Sequence, residues 1–271
     1  MTLARLAAAG STLALLTAAP PAPAADPPAC AATELFRDDF SRFPPGWLSR
    51  PVMMNGTLNG AIQEYHYLPH RGVPVGPWAS AICHLDAWVA GDEDGVPYLE
   101  QHLARTAPQF STPLFITGEP EWGDYTVGAK VRPLALDDFA GLAFRYATNR
   151  HYYLFALTGG NQVRLAVRQP VEKTLRTAEW RELGTAPFAY DTKSYYELEI
   201  VNDGPRIRAY VDGQLLVEAT DAELLTGKAG LVANVPTRYQ AFGGERVPVG
   251  AGGDRRPCRP ARSGAGEAAR R

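Results

Sequence analysis

Residues 125–131 read YTVGAKV: Tyr125, Val127, Ala129 and Val131 alternate with Thr126, Gly128 and Lys130. A period of two predicts a strand with one buried face. In residues 161–169 (NQVRLAVRQ), Val163, Leu165 and Val167 point one way, Arg164 and Arg168 the other. Residues 195–201 (YYELEIV) alternate again, with Tyr196, Leu198 and Ile200 on one face. Residues 152–157 form a β-rich run, and Thr158-Gly159-Gly160-Asn161 turns the chain into the next strand. Strands are also predicted over 228–233 and over 206–211 and 214–218, the latter two flanking Asp212-Gly213, a strong two-residue hairpin signal. Helix signals are scarce. Thr220-Asp221-Ala222-Glu223 has the form of a capping box and Gly227 would end the turn, so one short helix is expected there. Many strands at short spacing predict an all-β, antiparallel two-sheet β-sandwich with one short helix.

The ends of the chain differ from its middle. Arg5 precedes an apolar run, residues 6–19, and Ala22-Pro23-Ala24 follows it. That order is the pattern of a secretory signal peptide over residues 1–25, so a secreted, extracellular protein is expected. A loose leader is assigned to 26–34 and the globular domain to 35–249. Residues 250–271 carry six arginines against one aspartate and one glutamate, net +4, with almost no large apolar side chain. Such a segment cannot bury enough surface to order itself, so a disordered basic tail is expected. Loss of a further domain after residue 250 is the competing reading.

Composition narrows the partners. Hydrophobic residues make up 45% of the 271, enough for a full core, and the formal net charge is only -2. That balance gives no reason to expect nucleic acid or an anionic membrane, and a monomer is anticipated. Export permits disulfides, but Cys30, Cys83 and Cys258 are odd in number and their pairing stays open.

Several short motifs occur in a characteristic order: WGDYTVGAKVRP, AGLAFRYATNRHYYLFAL, VRLAVR, YYELEIVNDGPRIRAYVDGQLLVEA and GKAGLVANVPTRYQAF. This order resembles the concanavalin A-like lectin/glucanase jelly roll, in its laminin G-like and 3-keto-disaccharide-hydrolase-like branch. Trp122, Asp124, Tyr125, Gly141, Phe144, Arg145, Tyr153, Phe155, Val211, Asp212, Gly213, Gly227, Gly230 and Leu231 carry the likeness, over about residues 35–245. Asp38-Asp39-Phe40 resembles the family's first strand, whose partner lies near the C-terminus. The resemblance implies two antiparallel sheets, one of them concave, with glycans on the concave face or its rim. It specifies fold more than function.

Candidate chemistry concentrates in residues 59–88, which hold three of the five histidines and two of the five tryptophans. A sugar site needs flat aromatic faces and planar polar groups. Trp78, with Tyr65, Tyr67 and Trp88, offers the first; Glu64, His66, His70, Arg71, His84 and Asp86 offer the second. Trp88 reads more readily as core. Pro69 between His66 and His70 argues against a helical metal pair, and the zinc motifs H-E-x-x-H and C-x-x-C are missing from the sequence. Asp92-Glu93-Asp94-Gly95 offers carboxylates for calcium without EF-hand spacing, and an acidic turn is the competing reading; no other cofactor is implied. Glu197 and Glu199 approach the glucanase pattern E-x-D-x-x-E but lack its middle Asp and third acid, so a solvated face is expected. The leading expectation is a carbohydrate-binding module of a polysaccharide-degrading protein, with a polysaccharide or oligosaccharide as partner. A glycoside hydrolase or polysaccharide lyase using His84, Asp86 and Glu64, and a laminin G-like adhesion module, remain as alternatives.

Overall fold

The structure is a computed structural model, and it describes residues 33–47, 73–81, 87–103, 112–171 and 178–247. These all fall within one unit, Ala31–Arg271. Among the described residues seventeen strands run in chain order: β1 (Thr33–Asp38), β2 (Gly46–Trp47), β3 (Val73–Val75), β4 (Trp78–Ser80), β5 (Trp88–Glu93), β6 (Val96–Gln101), β7 (Leu114–Thr117), β8 (Tyr125–Pro133), β9 (Phe139–Thr148), β10 (His151–Thr158), β11 (Gln162–Pro170), β12 (Ala178–Pro187), β13 (Tyr196–Asp203), β14 (Arg206–Val211), β15 (Gln214–Thr220), β16 (Lys228–Ala233) and β17 (Thr237–Arg246). One sheet has nine strands in the order β15-β14-β13-β8-β17-β6-β5-β2, with β1 also paired to β17. The other has eight, in the order β12-β11-β10-β9-β16-β7-β4-β3. Every pairing is antiparallel, and the two sheets pack as a sandwich, as the alternating patterns require.

The expected pairing of the first strand with the C-terminal region is present: Asp38 stands opposite Phe242 and Thr33 opposite Arg246. The Asp212-Gly213 hairpin forms as expected, with φ of 48° and 78° at its two residues. Both angles are positive, as a turn matched to the twist of its strands demands, and Gly213 adopts its angle without a Cβ penalty.

The interior follows the period-two reading. Val127 and Val131 of β8, Leu198 and Ile200 of β13 and Ile207, Ala209 and Val211 of β14 pack in the same core as Leu142 and Phe144 of β9, Phe155 and Leu157 of β10 and Val163, Leu165 and Val167 of β11. Two tyrosines pin the layers together. Tyr239 of β17 donates its hydroxyl to the carbonyl of Val232 at 2.9 Å and of Gly141 at 3.3 Å in the opposite sheet. Tyr125 of β8 accepts the backbone N–H of Arg145 in β9 at 2.7 Å.

The expected helix is absent. Residues 221–227 form a loop between β15 and β16. Asp221 does accept the N–H of Glu223 at 3.0 Å, as a capping side chain would. Its carboxylate is also taken by Tyr153, whose hydroxyl donates to Oδ1, and by Arg181, 2.7 Å from Oδ2. One turn of helix cannot repay its own nucleation, and these tertiary bonds hold the loop extended across the end of the sandwich instead. Gly227 serves a different purpose from a helix stop. Its φ is +145°, and a Cβ there would lie 2.4 Å from the carbonyl carbon of Arg145.

Candidate functional site on the outer face of the eight-stranded sheet

Alternation predicts a polar outer face for each strand, but the eight-stranded sheet departs from this. Leu114 and Ile116 of β7, Phe139, Ala143 and Tyr146 of β9, Tyr152, Leu154 and Ala156 of β10 and Val232 of β16 form a second buried apolar cluster. The continuous apolar runs FAGLAF and YYLFAL therefore record burial on both sides.

Polar groups are set into this face, and register shows how they meet. Tyr152 of β10 pairs with Arg168 of β11, and Arg168 pairs with Trp180 of β12. Arg164 pairs with Ala156, so Arg164 and Arg168 stand on the outer side while their neighbours Val163, Leu165 and Val167 fill the core. The Trp180 ring meets Tyr152 edge-on at 5.6 Å and Phe139 at 6.1 Å. The strand positions of those two rings are about 20 Å apart on a flat strand, because Phe139 pairs with Thr158. The side chains therefore lean together over Trp180. The guanidinium carbons of Arg164 and Arg168 each lie 5.6 Å from the centroid of the same indole. Tyr146 lies beside Tyr152, with centroids 6.0 Å apart.

Five buried polar atoms here have no hydrogen-bond partner among the described residues: Tyr146 Oη, Tyr152 Oη, Thr158 Oγ1, Arg164 Nε and Arg168 Nε. Burial of a polar group without a partner costs about 1–3 kcal/mol, and similar atoms occur elsewhere in the fold, Arg132 Nε, Arg145 Nε and Arg208 Nε among them. Burial raises the Tyr146 phenol above its ordinary value. It raises Tyr152 as well, and the nearby Arg168 charge only partly opposes the shift. Both hydroxyls stay protonated at neutral pH and keep their donor capacity. The edge strand β12 brings the solvent boundary to this cluster: Trp180 is half-buried and the Glu182 side chain is 56% exposed.

The residues expected to form the site fare differently. Trp78 is corrected. It is 1% exposed, stacks on Phe115 at 5.0 Å and donates Nε1 to the buried Asp38 at 2.8 Å. Its face is covered by core and its one donor is used, so it offers a sugar nothing. Trp88 is fully buried, in accord with its core reading. Glu64, His66, His70, Arg71, His84 and Asp86 lie outside the described residues, as do Cys30, Cys83 and Cys258. The Asp92–Gly95 segment is a tight hairpin turn: Asp92 accepts the Gly95 N–H at 2.8 Å, and Glu93 pairs with Arg132 at 3.0 Å and Arg238 at 3.4 Å. The Arg132 hydrogen bond holds Glu93 below its ordinary carboxylate value. Glu197 is exposed on the outer side of the nine-stranded sheet, with Leu198 and Ile200 inside. Among the described residues no group of three or more His, Cys, Asp or Glu is placed to hold a metal ion.

Neither a protein-family model nor a curated protein sequence matches the chain. Solved structures align with it at low identity. A carbohydrate binding module, CBM66 from Bacillus subtilis, is 14% identical with a TM-score of 0.48, over 62% of this chain and 95% of that one. A GH43 protein from Bacillus licheniformis is 15% identical with a TM-score of 0.47, over 67% of this chain but 38% of that one. A lichenase derived from a mouse hindgut metagenome is 14% identical with a TM-score of 0.43, over 58% and 83%. With TM-scores below 0.5 these likenesses carry no argument about this chain, and the reading of the site rests on its own side chains.

Proposed function

We propose that this domain is an exported carbohydrate-binding β-sandwich, and that the outer face of its eight-stranded sheet, entered at the β11–β12 margin, holds the glycan. One observation carries the reading: the half-buried Trp180 ring is flanked by two guanidiniums and by tyrosine hydroxyls that lack partners. An indole face takes the C–H side of a sugar ring, and fixed planar donors take its hydroxyls. The N-terminal pattern of positive charge, apolar run and small residues supports export. A recognition role is favoured over glucanase-type catalysis because the near-match to the glucanase acids, Glu197 and Glu199, lies on the other sheet, while His84, Asp86 and Glu64 of the enzyme alternative lie outside the described residues.

The test is a glycan array followed by calorimetry on the full chain, Trp180→Phe and Trp180→Ala. We expect the array to register a glycan, and affinity for it to fall at least about tenfold in Trp180→Ala, equal to about 1.4 kcal/mol. Trp180→Phe should keep the second apolar cluster filled and lose less. If the intact chain binds no glycan, or Trp180→Ala binds as well as the parent, the proposal fails.

A further inference from the structure

Charge on this face is lopsided. Arg164 has one acidic neighbour, Glu182, at 3.6 Å, too far for a hydrogen bond and on a side chain turned largely to solvent. Arg168 has no carboxylate partner among the described residues. Several other described arginines reach a carboxylate or a carbonyl, whereas buried Arg208, like Arg164 and Arg168, keeps an Nε without a partner. Arg132 and Arg238 reach Glu93 and Glu100, Arg181 reaches Asp221, and Arg206 reaches Glu218. Even the fully buried Arg145 donates to the carbonyls of Gly204 at 2.6 Å and Leu224 at 3.1 Å.

The two guanidiniums are also held close. Arg164 and Arg168 are four residues apart on β11, about 13 Å along a flat strand. Both nonetheless sit 5.6 Å from one indole centroid, so their guanidinium carbons are at most about twice that distance apart. Each keeps a buried Nε without a hydrogen-bond partner, as Arg132, Arg145 and Arg208 also do, so what sets this pair apart is their shared indole and the lack of a close carboxylate. The Nε–Nη edge of arginine is a planar two-donor fork that matches the two oxygens of a carboxylate or sulfate. Neutral sugar hydroxyls can accept from the same fork, but they leave the positive charge uncompensated.

Resting on the carbohydrate reading above, we infer that the ligand is an acidic saccharide whose oxyanion is gripped by Arg164 and Arg168 while its ring lies against Trp180. The shared chemistry is an oxyanion on a sugar, a uronate carboxylate or a sulfate ester. Isothermal calorimetry of the full chain against polygalacturonate, a sulfated galactan and a neutral galactan tests it, with Arg168→Gln and Arg168→Lys alongside. We expect one acidic polymer to bind at least about tenfold more tightly than the neutral one, and which of the two does so identifies the oxyanion. Arg168→Gln should erase that preference while leaving the melting temperature near the parent's. Arg168→Lys should keep the charge, lose the fork and fall between. Raising ionic strength should weaken acidic binding only. Equal binding of acidic and neutral polymers, lost in Trp180→Ala but untouched in Arg168→Gln, overturns this inference and leaves the carbohydrate reading intact. No binding to any of the three by a chain that binds another neutral glycan on the array also overturns the inference alone. No glycan binding of any kind overturns both.

Discussion

Replacing Gly227 by alanine isolates one steric contact that the end of the sandwich is built around. At φ +145° the residue occupies a region that L side chains rarely enter, worth about 1–3 kcal/mol of strain. The added Cβ would also lie 2.4 Å from Arg145 C, 2.7 Å from Tyr146 N and 2.8 Å from Arg145 Cα. These are backbone atoms, and they have little room to yield. Arg145 already sits at a positive φ of 45°, and its guanidinium is tied to Gly204 and Leu224. Overpacking of this kind costs about another 1–3 kcal/mol. Gly95 supplies the control: its φ is +81° with nothing within 4 Å of a built Cβ, so alanine there carries the conformational cost alone, about 1–2 kcal/mol. Guanidinium unfolding followed by circular dichroism gives both values from midpoints at a common slope. We expect Gly227→Ala to lose about 1–3 kcal/mol more than Gly95→Ala, the size of the steric contribution. In a thermal scan that difference is about 2–12 °C for a domain of this size. Equal losses in the two variants would show that the β9 backbone moves aside freely, and would refute the close approach.

Tyr239→Phe removes a buried hydroxyl that joins the sheets through Val232 and Gly141, and we expect it to cost about 0.5–1.5 kcal/mol; a melting temperature at or above the parent's would count against the pin. Alkaline pH gives an independent check. Burial raises Tyr125, Tyr146, Tyr152, Tyr153 and Tyr239 above the ordinary phenol value in the folded protein. The unfolded chain, with phenols near pKa 10, then binds fewer protons than the native one, so stability is full below about pH 10 and declines above it. Absorbance at 295 nm should show part of the twelve tyrosines titrating first and the remainder only with cooperative unfolding; a single reversible step without unfolding would contradict their burial.

Much of the architecture is written into short-range pattern. Alternation in β8, β11 and β13 assigned each side chain to its face, including Arg164 and Arg168 outward, because a strand's period is local and independent of what packs on it. Asp212-Gly213 announced its hairpin for the same reason: the turn's positive φ values are a property of two residues. The candidate site was less legible. Trp78 and Trp180 are the same residue type, and only packing makes the first a core ring on Phe115 and the second a half-buried ring beside two arginines. The capping pattern at Thr220–Glu223 was locally sound but was overruled by Tyr153 and Arg181, both distant in the chain.

The amino-acid order alone determined that this protein is an antiparallel sandwich and which way its strands face, since period and turn chemistry act over a few neighbouring residues. Tertiary structure alone decided which of the two outer faces became buried, which polar atoms were left without partners, and that Tyr152, Arg168 and Trp180 meet in one row. Those outcomes depend on pairing between strands far apart in sequence, and no local pattern encodes them.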